Sequence, residues 1–98
     1  MAATLVSLQP PPQYDVVPPV PVIEYVLSRE EVQKVCGEEY LRTAGLTLPA
    51  TEYFRGCAQS RIWATTYVCV VWRINDEKVR RHEYAHCSGW PADHPGGH

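Results

Sequence analysis

The chain is poor in the features that announce most large functional classes. No apolar run approaches the ~18 residues that cross a bilayer, which excludes a membrane-spanning helix. There is no basic excess. Nine Lys and Arg against eleven Asp and Glu give a formal charge of −2 and a pI near 6.0. That balance argues against nucleic acid or an anionic membrane surface as the main partner. No glycine-rich phosphate loop and no G-x-S-x-G elbow is present, and there are no internal repeats. No two cysteines show the C-x₂₋₄-C spacing of a structural zinc–thiolate site. The opening MAATLVSLQPPP lacks a basic start and a long apolar stretch, so it does not read as a signal peptide.

What remains is the composition of one small globular domain: 98 residues, 45% hydrophobic and 20% charged. A chain of this size buries only a little over ~60% of its unfolded surface, so its core is marginal without help. Cys36, Cys57, Cys69 and Cys87 can supply that help as two disulfides, for which three connectivities exist. The expected pairing is Cys57 with Cys69, closing a hairpin, and Cys36 with Cys87, tying an early helix to a late one. Cysteine usage favours a periplasmic or secreted setting, although the opening segment shows no route to one.

Composition divides the chain into a proline-rich arm over residues 1–22 and a domain over 23–98. Six of the nine prolines fall in residues 10–21, so this arm is expected to be extended, either wrapped over the domain or available to a proline-recognising module. Ser28-Arg29-Glu30-Glu31 is a capping box that opens a short helix, with Val32, Val35 and Cys36 on one face and Gly37 placed to stop it. A second helical turn fits Glu38–Thr43, ending near Gly45. Residues 46–56 read as loop. The β-branched and aromatic run Ile62–Ile74 reads as one long strand or two strands of a hairpin. Asp76 offers an N-cap for a last helix reaching about Ser88, where Gly89 and Pro91 end it.

The chemistry lies on that last helix, which reads His82-Glu83-Tyr84-Ala85-His86. Positions i and i+4 lie one above the other on a helix, so both imidazoles can reach a single ion. Glu83 sits slightly around the helix, where it can take a proton from a water activated by that ion. Zinc suits two imidazoles with a third ligand and one position open to water.

HEYAHCSGW, extended to HEYAHCSGWPADHPGGH, resembles the zincin metallopeptidases over about seventeen C-terminal residues, nearest to those with the longer H-E-x-x-H-x-x-G signature. The resemblance implies zinc-dependent hydrolysis of a peptide or protein substrate, with His82 and His86 as ligands, Glu83 as general base and Gly89 as the turn. It also implies a third ligand after that turn. The position ten residues beyond the first histidine is Ala92, so Asp93 or His94 must serve through a slightly longer loop, with His94 preferred because zinc takes imidazole readily. No glutamate follows His86, which argues against the arrangement that draws a glutamate from a later helix. A zincin's lower lobe has no counterpart of similar length here. The cleft is therefore expected to be shallow, completed by the arm, or completed by a protein partner.

Other candidates carry less. Trp63, Trp72 and Trp90 read as core, with Trp90 beneath the metal loop. Arg80 and Arg81 read as solvated helix positions, Cys87 as a weak rival nucleophile, and His98 as a mobile terminal residue. Tyr84 points away from the histidines, and Tyr53 and Tyr67 are open candidates for stabilising an oxyanion. The expected architecture is a small α+β zincin-like domain with a capped N-terminal helix, a short antiparallel sheet and a C-terminal HExxH helix. A non-catalytic, metal-binding or disulfide-stapled interaction module is the alternative.

Overall fold

A computed structural model describes residues 9–92. They form a small α+β domain of three strands and two helices in the order β1 (Val22–Val26), α1 (Arg29–Ala44), β2 (Gly56–Trp63), β3 (Thr66–Arg73) and α2 (Glu77–Cys87). The strand order is β1-β3-β2, with β3 in the middle. β2 and β3 form an antiparallel hairpin joined by Ala64 and Thr65, with Ala64 at a left-handed φ of 57°; the run Ile62–Ile74 supplies β3 and the tip of β2, but β2 begins upstream of it at Gly56. β1 pairs parallel to β3, so the sheet is mixed and not purely antiparallel. The prolines before Val22 end where the ladder begins: Cys69 N–H already bonds the carbonyl of Pro21.

Register decides which helix covers which face. Residues opposite each other in a ladder point the same way, and neighbours along a strand point opposite ways. Cys57 lies opposite Trp72, and Val71 lies opposite Ala58. One face therefore carries Cys57 and Trp72, which pack with Val32, Cys36 and Phe54 under α1. The other carries Ala58, Val71 and Cys69, which pack with Cys87 and Tyr84 of α2.

The same parity corrects the expected cysteine pairing. Cys57 and Cys69 lie on opposite faces of the hairpin and cannot meet. The bridges are Cys36–Cys57 and Cys69–Cys87, each with a Cα separation of 5.7 Å and each fastening one helix to its own face. Gly37 does not stop the first helix. A Cβ there would meet nothing within 4 Å, and one glycine weakens a helix interior by only about 1 kcal/mol. α1 runs on to Gly45, whose φ of 68° provides the left-handed cap. Its start is the reciprocal Ser28–Glu31 capping box.

The described part of the arm touches the domain at separate points, while Val17 between them is 89% exposed. Asp15 pairs with Arg81, the Ser88 hydroxyl donates to the Val16 carbonyl at 3.0 Å, and Val20 joins the cluster under α2. Trp72 and Trp90 are packed as expected, whereas Trp63, at the hairpin tip, is 60% exposed. Among the described residues no helix is long and apolar enough to cross a membrane.

Candidate metal centre

Three devices hold α2 in place. Asp76 caps its first turn by accepting from the Lys78 N–H at 2.9 Å, and Val79 packs fully buried. A charged cluster then sets its rotation on the sheet. Arg73 of β3, 7% exposed, donates to Glu24 of β1 at 2.9 Å, and Arg80 reaches the same carboxylate at 3.5 Å. Burial pushes the Glu24 carboxyl up, but bonding to Arg73 and the charges of Arg73 and Arg80 outweigh it and hold the group below its ordinary value. Arg80 also lies over the Tyr84 ring. It is thus a partly buried structural cation and not a solvated one, while Arg81 is exposed and paired to the arm.

This rotation turns His82, Glu83 and His86 toward the outer edge of β2. His82 and Glu83 are 1% and 2% exposed, and His86 is half-buried. The Nε2 atoms of the two imidazoles stand 3.2 Å apart. Two nitrogens at ~2.05 Å from a tetrahedral zinc are separated by about 3.3 Å, so the spacing fits two ligands of one ion. The Glu83 carboxylate belongs to the same group, with all three donor atoms within 4.8 Å of one another. Its Oε1 is buried with no hydrogen-bond partner among the described residues, and burial pushes the carboxyl well above the usual carboxylate range. Buried polar atoms of this kind are rare unless a ligand, ion or water meets them. The donor set therefore fits a borderline metal ion such as zinc.

Gly56 makes room for this arrangement. It lies on the α2 face of β2, where a Cβ would stand 3.1 Å from Glu83 Cγ and 3.1 Å from Val79 Cγ1. A cleft of about 450 Å³ runs from Glu83, His86 and Trp90 around the outer edge of β2 to Tyr40 and Phe54 on the α1 side. None of the described arm residues lines it, so the arm does not complete the cleft in the described structure.

Tyr53 and Tyr67 are not brought to this cleft either. Tyr53 has the guanidinium groups of Arg29 and Arg55 4.7 and 5.4 Å from its ring centroid, and Tyr67 is 65% exposed on the hairpin. Tyr84 packs under Arg80, away from the imidazoles, as its helix position suggests. Cys87 is held in a disulfide, which removes it as a nucleophile. Asp93, His94 and His98 lie outside the described residues. Sequence reading missed Tyr40, which lines the cleft one helical turn beyond Cys36, and Gly56, whose only signal is a small residue opening a strand. Comparison with known protein families, curated proteins and solved structures finds no match to this chain.

Proposed function

We propose that the protein is a minimal zincin-type zinc metallopeptidase. The observation that carries this reading is the convergence of His82 Nε2 and His86 Nε2 to 3.2 Å beside the buried Glu83 carboxyl. His82 and His86 hold the ion through Nε2, and Asp93 or His94 supplies the third protein ligand. A zinc ion held by these residues would supply Lewis-acid chemistry, polarising a scissile carbonyl and lowering the pKa of a water toward about 7. Glu83, beside that position, would take a proton from the attacking water and pass it to the leaving amine. The cleft along β2 suits an extended peptide, because the outer edge of that strand is unpaired among the described residues and offers backbone partners. Two disulfides are compatible with an oxidising periplasmic or extracellular compartment, which we assign as its place of action.

The second reading, a metal-binding module without turnover, is favoured by one observation. Glu83 is only 2% exposed, so its carboxyl is enclosed to a degree that a purely structural site would tolerate. One experiment separates the two. Zinc-loaded wild type and Glu83→Gln are compared on an unstructured protein substrate. The peptidase reading expects equal zinc content and a rate lower by about 10²–10⁴-fold in the variant. Equal zinc with no cleavage by either protein selects the non-catalytic module.

A further inference from the structure

We propose that Trp90 is a positioning residue for the metal centre, fixing which nitrogen of His86 meets the ion; this role rests on the metal-site reading above. The argument begins with how α2 ends. Gly89 adopts φ 103°, its N–H bonds the His86 carbonyl at 3.1 Å, and the Trp90 N–H bonds the Ala85 carbonyl at 3.0 Å. These two bonds are the 5→2 and 6→1 pair of a Schellman motif, which folds the residue after the glycine back over the helix. Here that residue is Trp90, and it lands on the two histidines.

It grips His86 at two points. The Trp90 carbonyl lies 2.8 Å from His86 Nδ1. A carbonyl only accepts, so a neutral His86 carries its proton on Nδ1 and presents a lone pair at Nε2. The indole stacks on the same imidazole, with centroids 5.0 Å apart and planes 12° from parallel. It also meets His82 edge to face at 4.9 Å. The carbonyl thus sets the tautomer and the ring sets the plane. Together they hold His86 Nε2 3.2 Å from His82 Nε2, a spacing at which both nitrogens could bind one ion. Groups that orient a metal-bound imidazole in this way are worth about 10–100-fold in metal affinity.

The role divides between backbone and side chain, and the two parts can be read separately. Long-range ¹H–¹⁵N NMR of the metal-free protein reports the His86 tautomer directly. The expected result is a single form protonated at Nδ1; a form protonated at Nε2 would overturn the proposal. Zinc affinity, measured by competition with a chromophoric chelator, tests the ring. Trp90→Leu keeps the carbonyl and an apolar side chain but loses the stacking plane, and is expected to bind zinc about 10–100-fold more weakly. Trp90→Phe restores a planar ring and is expected to recover most of that loss. Wild-type affinity in Trp90→Leu, or equal losses in both variants, would overturn the ring's role. Should Trp90→Leu fail to fold, Trp90→Phe decides: affinity near wild type with the Nδ1 tautomer retained supports the role, and a full loss with the fold intact contradicts it. Failure of the wild type to bind zinc would overturn the metal-site reading, and this role with it, whatever the tautomer.

Discussion

Gly56 of β2 and Glu83 of α2 face each other so closely that a Cβ on the glycine would stand 3.1 Å from Glu83 Cγ and 2.9 Å from the Trp72 carbonyl oxygen. The second contact is to backbone in the central strand, which cannot retreat without disturbing the hairpin. Gly56→Ala should therefore destabilise the fold by about 1–3 kcal/mol, the usual range for overpacking a filled interior. It should also displace Glu83. Denaturant midpoints measure the first effect. An unchanged midpoint would show that the hairpin backbone and α2 both give way at little cost.

The disulfides carry a sharper expectation, because their pairing follows from which face each cysteine occupies. Peptide mapping of unreduced protein should find Cys36 joined to Cys57 and Cys69 joined to Cys87. Replacing Cys69 and Cys87 together by serine opens a link of sequence separation 18. The loss of stability should be about 3 kcal/mol by loop-closure arguments. The variant should also bind zinc more weakly, since Cys87 directly follows His86 on the helix that the bridge fastens. A Cys57–Cys69 linkage would contradict the sheet register itself.

Acid should weaken the fold through Glu24. Burial raises its carboxyl, but Arg73 and Arg80 pull it below 4.5, its ordinary value. A carboxylate depressed in the folded state stabilises fully above its unfolded pKa and loses that contribution as pH falls through the folded value. Urea midpoints should therefore decline below about pH 4.5 in the wild type. Glu24→Gln should show a shallower decline over the same window. Parallel slopes in the two proteins would remove Glu24 from the account.

Much of this arrangement is local, and that part could be read from the chain alone. The Ser28 capping box, the Asp76 cap, the Gly89 turn and the i, i+4 histidines each depend on residues a few positions apart. The expectations that failed depend on distance or on context. Gly37 sits in a helix interior because the packing of Val32 and Cys36 on one side and Tyr40 on the other outweighs a single residue's poor propensity. β1 is five residues behind a proline-rich arm, and its parallel partner lies more than forty positions away, so no neighbouring residue signals it. The hairpin turn has Ala64 in the left-handed conformation instead of the usual asparagine or glycine, which hides the break between β2 and β3. Cysteine pairing needs the register of a sheet that periodicity alone does not supply.

The third ligand is testable by single substitutions at the two residues after Ala92. His94→Ala should lower zinc affinity far more than Asp93→Ala, because imidazole is the better match to a borderline ion. The reverse order would make the site His-His-Asp. No loss in either variant would assign the position to His98 or to another molecule.

X-ray absorption at the zinc edge tests the central claim most directly. With all four cysteines in disulfides, the protein has no thiolate to offer. The zinc-loaded protein should hold one ion per chain in a nitrogen and oxygen shell at ~2.0–2.2 Å, with the outer-shell scattering of at least two imidazoles. That imidazole signal should vanish when His82 and His86 are both replaced by alanine. A sulfur shell near ~2.3 Å, or an unchanged spectrum in the double variant, would contradict a metal centre built on these two histidines.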